Sequence, residues 1–316
     1  MRRAIIATVR NEEARLPEFL ASLERQTARP DVVVVTDGGS TDRTADLLRD
    51  FAAKTSLPFR WAVVSGNRSR GRNEAVRMAN ADVIAVTDVS VLEPTWFERI
   101  VAPIERGDAD IVAGWFELFV HSPRERVIGL LTQWSRDQVR PATFLASSRS
   151  VAFTHSVWAR AGGYPEAFAG NEDTIFDLAV ERLRPRKGFV PDAVVRWRPA
   201  DSARMVYRQH RKYAVGDGQA AIFLFRGTRY AALFAMYGIV VLLLIAGMFW
   251  WPLWILLLGG ASLYAGFRVR KVARAGLWSF VPYAILVVIA WDLSRMVGYT
   301  AGWIDRLIKG SAHFRF

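Results

Sequence analysis

The chain has 316 residues, with 42 Lys and Arg against 30 Asp and Glu, for a formal net charge of +12. At 52% hydrophobic and 23% charged it is too apolar and too evenly mixed for a disordered chain, and its length allows about two domains. With no cysteine there are no disulfides, thiolate zinc sites or cysteine nucleophiles, and the four histidines (His121, His155, His210, His313) lack metal-ligating spacing.

The first part of the chain alternates short apolar runs with helical patterns. Ala4-Ile5-Ile6-Ala7-Thr8-Val9 runs into Arg10-Asn11-Glu12-Glu13, Val32-Val33-Val34-Val35-Thr36 into Asp37-Gly38-Gly39-Ser40, and Val83-Ile84-Ala85-Val86-Thr87 into Asp88-Val89-Ser90. Such continuous runs predict buried parallel strands, and the intervening pattern Leu16, Phe19, Leu20, Leu23 predicts a helix. The alternation predicts an open α/β sheet, whose ligands bind beyond the carboxyl ends of the strands. One acid at a strand end reads as a helix cap, but Glu12, Asp37 and Asp88 together are expected to converge on one crevice. A carboxylate cluster beside a basic segment suits a divalent cation holding a phosphorylated ligand.

The basic segment is Gly66-Asn67-Arg68-Ser69-Arg70-Gly71-Arg72-Asn73, read as a loop entering a helix over 74–79. Its spacing imitates a phosphate-binding G-x(4)-G-K-[ST] loop, but Arg72-Asn73 replaces the Lys and the hydroxyl, which excludes that motif. An Arg-rich helix entry remains an anion site, against a solvated surface loop as the other reading. Further on, Gly162-Gly163-Tyr164-Pro165-Glu166 precedes Gly170-Asn171-Glu172-Asp173-Thr174 and another helical pattern. Capping of that helix explains one acid but not the adjacent pair Glu172 and Asp173.

Residues 230–267 carry no charge, a run of 38 with Trp250-Trp251-Pro252 near its middle. Two membrane spans need about 40 residues, so a helical hairpin turning at that Trp-Trp-Pro is expected. Arg226 and Arg229 precede it, and Arg268, Arg270, Lys271 and Arg274 follow, which predicts both outer ends on the cytoplasmic side. The amino-terminal apolar run is too short for a secretory signal, so the globular part is expected to face the cytoplasm. A third apolar segment, about 277–303, is interrupted by Asp292 and Arg295; it reads either as a span with an i, i+3 ion pair or as a re-entrant or interfacial helix. Basic charge beside a membrane anchor makes nucleic acid a poor partner.

In order and spacing, R-N-E-E, V-V-V-T-D-G-G-S-T-D, G-R-N-E-A before D-V-I-A-V-T-D, and G-G-Y-P-E followed by N-E-D-T resemble the family 2 glycosyltransferases over about residues 4–215. These are inverting enzymes of GT-A fold that use nucleotide-sugar donors. The resemblance implies a Rossmann-like open sheet with helices on both faces over 1–225 and a membrane region over 226–316. It implies that Thr8, Arg10 and Glu12 line the base and ribose pocket, that Asp37 contacts the base, and that Arg72 contacts nucleoside or phosphates. Asp88 is similar to the first acid of the family's D-x-D element and would hold a divalent cation, Mn or Mg. Asp173, paired with Glu172, would be the general base. Gln209-His210-Arg211-Lys212-Tyr213 is similar to a Q-x-x-[RK]-[WY] element, placing Gln209, Arg211 and Tyr213 at diphosphate or acceptor; the same segment also reads as a membrane-proximal basic helix.

Two positions depart from the family pattern: Ser90 replaces the second D-x-D acid, and Gly38, in the donor-binding loop, replaces the second acid of D-D-G-S. A membrane-anchored enzyme of this kind implies a lipid-linked or amphiphilic acceptor such as a glycolipid, a polyprenyl-linked sugar or a carotenoid-like lipid. A nucleotidyltransferase would need a second metal-binding acid, against which Ser90 argues, and a non-catalytic membrane scaffold would treat Ser90 and Gly38 as marks of decay.

Overall fold

A computed structural model describes residues 1–133, 136, 139, 145–221 and 228–314, without the side chains of residues 228, 229 and 312. The apolar runs form β1 (Arg3–Val9), β2 (Val32–Asp37), β3 (Phe59–Val63) and β4 (Val83–Thr87), all mutually parallel. β5 (Val91–Leu92), β6 (Ile111–Leu118), β7 (Val151–Thr154) and β8 (Lys187–Trp197) complete a sheet ordered β3-β2-β1-β4-β7-β6-β8-β5. β7 runs antiparallel to β4 and β6, so the sheet is mixed beyond its parallel half.

Period-two alternation sends Ile5, Ala7 and Val9 to one face and Ala4 and Ile6 to the other. The first face is covered by α1 (Leu16–Glu24), α2 (Thr44–Lys54) and α4 (Trp96–Glu105), with Leu16, Phe19, Leu23, Trp96, Phe97 and Ile100 in the core. The second is covered by α3 (Arg68–Ala79), α6 (His155–Arg160) and α7 (Glu172–Arg182), through Val76, Ala79, Val157, Phe176 and Val180. The basic segment is not a loop: α3 begins at Arg68, because the Asn67 side chain caps it by accepting from the Arg70 amide at 3.1 Å. Its arginines therefore project from the first two turns of a helix.

α5 (Pro123–Thr132) and α8 (Ala203–Gln219) lead to three apolar helices, α9 (Thr228–Gly247), α10 (Pro252–Arg274) and α11 (Val281–Lys309). All three are long and apolar enough to cross a membrane. α9 and α10 turn at residues 248–251 with Pro252 opening α10, where the proline lacks only an amide that the helix leaves unpaired anyway. Outward-facing Leu242, Leu256, Leu258 and Leu263 suit a hydrocarbon surround. The expected boundary at 225/226 and Arg226 lie outside the described residues, as does the Arg229 side chain.

The third apolar segment is one continuous helix, α11, packed lengthwise on α8. The i, i+3 pair of Asp292 and Arg295 that one reading of this segment offered does not form. Asp292, fully buried, instead takes Arg268 of α10 at 3.1 Å, and Arg295 stands over the Tyr230 ring at 5.1 Å. Arg268 thus turns inward to a carboxylate that would otherwise be buried alone, rather than flanking the hairpin as a free positive charge.

Candidate active site

A cleft of about 230 Å³ opens beyond the carboxyl end of β4. Arg68 and Arg72 of α3, Asp88, Phe116, Ser147 to Arg149, the segment Asn171 to Thr174 and Tyr213 of α8 line it. Six separate stretches of the sequence meet here, at the sheet edge where open α/β folds bind ligands.

The cationic wall is built on Glu172. Arg72, 4% exposed, donates to Glu172 Oε1 at 2.8 Å, and Arg68 lies 3.4 Å from the same oxygen. Burial alone would raise the Glu172 carboxyl, but the two guanidinium groups together hold it well below the ordinary carboxylate range. Arg72 also stands 5.1 Å over the Tyr164 ring, and its buried Nε has no hydrogen-bond partner among the described residues, which leaves a donor for an anion. Glu172, read from the sequence beside Asp173 as part of a catalytic pair, is committed to these arginines. Asp173, the next residue, lines the cleft beside it, with its Oδ1 accepting from the Thr174 amide at 2.9 Å.

Asp88 is part exposed and held from two sides. The Ser90 hydroxyl donates to its Oδ1, and Arg149 Nε lies 3.4 Å from its Oδ2. Ser90, in the second D-x-D position, therefore orients the remaining acid. Arg149 is clamped over Trp197 at 4.5 Å and Phe116 at 5.4 Å, a cation–π arrangement that fixes its direction. Glu12 is close enough to Asp88 to feel its charge: burial chiefly, with Asp88 adding, raises its carboxyl above the ordinary value against the pull of Arg15 and Arg68.

Other residues singled out in the sequence lie around this cleft in different roles. Asp37, 1% exposed, does not join Glu12 and Asp88. It accepts from the Ser40 amide at 3.1 Å and hydroxyl at 2.6 Å, folding the loop that follows β2. The expected convergence of three carboxylates is thus reduced to two, and no group of three or more His, Cys, Asp or Glu stands together among the described residues. Thr8 shares a hydroxyl bond of 2.9 Å with Thr36, which bonds the Gly71 carbonyl at 3.1 Å and ties β1 and β2 to α3. Arg10 is exposed and packs its side chain beside Gly38.

On α8, Gln209 donates to the Tyr213 hydroxyl at 2.8 Å and so fixes the ring that lines the cleft. Helical spacing puts Lys212 on that face, within electrostatic reach of Arg68, Glu172 and Arg10. Arg211 is exposed, like Lys212, and its carbonyl lies against Gly298 of α11. The basic residue of this element that faces the site is Lys212. The register of Q-x-x-[RK]-[WY] marks that position in the sequence. Arg149 had no such signal, because it acquires its role from partners far along the chain.

As a cation site, the residues present offer the part-exposed carboxylate of Asp88, its bonded Ser90 hydroxyl and the nearby Glu12. This donor set fits a Mg or Mn ion that shares its coordination with substrate phosphates, and is too small for an all-protein cage.

A mixed open sheet with helices on both faces and a cation-walled cleft beyond β4 is the GT-A architecture. Residues 4–158 match the profile described as Glycosyl transferase family 2, and this part of the chain belongs to that family. It is 32% identical over 103 residues to validoxylamine A glucosyltransferase of Streptomyces hygroscopicus subsp. limoneus, covering 31% of this chain and 23% of that protein. It is 32% identical over 112 residues to undecaprenyl-phosphate 4-deoxy-4-formamido-L-arabinose transferase of Pseudomonas fluorescens, covering 33% of this chain and 32% of that protein. It is also 45% identical over 51 residues to 4,4'-diaponeurosporenoate glycosyltransferase of Staphylococcus haemolyticus, covering 16% of this chain and 13% of that protein. The chain therefore matches a third or less of the length of each of these relatives. Among solved structures, the mannosyltransferase PcManGT from Pyrobaculum calidifontis in complex with GDP-Man and Mn2+ superimposes with TM-score 0.64 at 19% identity, covering 92% of this chain and 86% of that one. S. aureus TarS in complex with UDP-GlcNAc gives TM-score 0.52 at 19% identity, covering 95% and 91%. These likenesses establish the fold.

Proposed function

We propose that the protein is a membrane-bound glycosyltransferase that moves a sugar, with inversion, from a nucleotide-sugar donor to a lipid-linked or amphiphilic acceptor at the cytoplasmic leaflet. The observation that carries this reading is the meeting of Arg68, Arg72, Arg149 and Asp88 with Asp173 and Tyr213 in one cleft. Direct displacement at an anomeric carbon requires a cationic surface for the departing diphosphate and a base for the attacking hydroxyl.

In this mechanism Asp173 takes the proton of the acceptor hydroxyl as its oxygen bonds to the anomeric carbon. The bond from that carbon to the diphosphate oxygen breaks, and nucleoside diphosphate leaves with the electron pair. Arg72, preset by Glu172, Arg68, Arg149 and Lys212 hold the diphosphate; Glu12, Arg10, Asp37 and Gly38 belong to the nucleoside side. A divalent cation held by Asp88 with Ser90 would act, when bound, as a Lewis acid that neutralises charge on the diphosphate. A hydroxyl acceptor suits a site that keeps a base, since a phosphate acceptor is already ionised. Two of the relatives are named for lipid acceptors, undecaprenyl phosphate and diaponeurosporenoate, which supports an acceptor drawn from the bilayer.

The test is thermal unfolding of the detergent-solubilised protein against a panel of nucleoside diphosphates, with and without manganese. A ligand that binds only the native state raises the midpoint. A manganese-dependent rise with one nucleotide supports the donor site and identifies its base. No rise with any nucleotide, for folded protein, sinks this reading in favour of a non-catalytic scaffold.

A further inference from the structure

Asp217 of α8 lies outside the cleft and outside every motif in the sequence, yet three elements meet on it. One carboxylate oxygen accepts from Asn171 Nδ2, and the other accepts from the Tyr230 hydroxyl at 2.5 Å. Tyr230 belongs to α9; its ring stacks on Tyr299 of α11 at 4.3 Å and carries Arg295 of the same helix over its face. Asn171 immediately precedes α7 and holds the left-handed conformation, with φ +57. Its Oδ1 accepts from the Thr174 hydroxyl at 3.0 Å, so one side chain is bonded both to α8 and to the first turn of α7. The backbones themselves touch: a Cβ at Gly216 would stand 1.8 Å from the Gly170 carbonyl oxygen, so no side chain can separate α8 from the segment that leads into Glu172 and Asp173.

We propose that Asp217 is a positioning residue for the candidate base: it holds Asn171, and through it the first turn of α7, in the one place that sets Asp173 in the cleft. The Tyr230 hydroxyl brings this seat under the control of the apolar helices, so that their packing sets the geometry of the site. The inference rests on the reading of Asp173 as base. A carboxylate suits the task because two donors converge on it from opposite sides, and a charged acceptor makes the stronger bonds. Asn adopts the left-handed conformation more readily than most residues, and the bond to Asp217 holds Asn171 in it.

The experiment uses the full chain in lipid nanodiscs, with Asp217→Ala, Asp217→Asn, Asn171→Ala, the Asp217→Ala/Asn171→Ala double variant, Tyr230→Phe and Asp173→Asn. Amide exchange across residues 171–176 needs no substrate. Asp217→Ala should speed it by about tenfold while amides of α3 and β1 keep their rates. Asn171→Ala should do the same, the double variant should be no faster than either, and Asp217→Asn, which keeps an acceptor, should recover most of the protection. Tyr230→Phe, which removes a single hydroxyl, should show a smaller change in the same segment. With UDP-glucose and GDP-mannose as probe donors and water as acceptor, Asp217→Ala should lose turnover by about tenfold to a hundredfold while the donor KM stays within about twofold. Unchanged exchange at 171–176 in Asp217→Ala, loss of protection spread evenly over the sheet, or a double variant whose effects multiply would overturn the proposal. An inactive Asp173→Asn beside a fully active Asp217→Ala removes the positioning role alone. A fully active Asp173→Asn removes the base reading and this inference with it.

Discussion

Glu172 and Arg72, a hundred residues apart in sequence, form an ion pair at 2.8 Å with side chains only 7% and 5% exposed. Removing one partner of such a pair leaves the other charged and buried, which costs about 3–5 kcal/mol. Glu172→Gln should therefore lower the unfolding midpoint and weaken nucleoside diphosphate binding together, since Arg72 loses the group that aims it. The native pKa of Glu172 lies below its ordinary value of 4.5, so its stabilisation is fully present above that value and is lost as pH falls through the native pKa. The gap in midpoint between wild type and Glu172→Gln should close on acidification below about pH 4.5. A variant as stable as wild type at neutral pH would show that the pair does not anchor this wall.

Asp173 and Asp88 predict separable losses. Asp173→Asn keeps the shape of the cleft but cannot accept a proton, so turnover should fall by about 10²–10⁴-fold while donor binding is kept. Asp88→Asn should instead weaken manganese-dependent binding of nucleoside diphosphate and leave metal-free binding nearly unchanged. Isothermal titration with and without manganese, run beside turnover, separates the two. Wild-type turnover in Asp173→Asn would place the base elsewhere, and an unaltered metal dependence in Asp88→Asn would move the cation.

The packing of α8 on α11 is a third point of test. A Cβ at Gly302 would stand 2.0 Å from the Val215 carbonyl oxygen, and one at Gly298 would stand 2.4 Å from that of Arg211. Neither atom can yield without moving a helix. Gly302→Leu should cost at least the 1–3 kcal/mol roughly typical of overpacking, and should reduce turnover by shifting the helix that carries Lys212, Tyr213 and Asp217. An exposed control on the same helix, Leu307→Ala, should leave both unchanged. Equal effects of the two substitutions would mean that close approach at Gly302 is not what joins the helices.

Much of this architecture was legible because it depends on local pattern. The runs ending at Val9, Thr36 and Thr87 became the parallel half of the sheet, and Trp250-Trp251-Pro252 became the turn between two apolar helices. Features set by single side-chain bonds, near or far along the chain, were not legible. Asn67 starts α3 earlier than the apolar periodicity suggested, since a cap is a single side-chain bond. One of the two readings of the third segment paired Asp292 with Arg295 on its own helix, but the buried carboxylate found Arg268 on a neighbouring one. Asp37 reads as a nucleoside contact by position, but the bond by which its carboxylate holds Ser40, three residues on, has no apolar pattern to announce it. Asp217 carried no signal because its meaning lies in Asn171 and Tyr230, on either side of it in the chain.

His210 offers a pH test that needs no substrate. It packs against Trp291 at 5.0 Å and Tyr213 at 5.7 Å, with Arg295 and Arg149 near enough to feel its charge. Burial first, and then the repulsion of those two arginines, pushes its imidazolium down to about 4 from an ordinary 6.5. Between these values the unfolded chain binds a proton that the native protein does not. Stability is therefore undiminished above pH 6.5 and falls as pH drops toward 4, by about 3 kcal/mol across the interval. His210→Phe keeps an aromatic ring against Trp291 but takes up no proton, so its unfolding midpoint should fall less than that of wild type between pH 7 and pH 5. Carboxylates complicate the comparison little in that range, since they titrate mostly below it. Parallel midpoint curves for the two proteins would show that His210 is not held neutral by its neighbours.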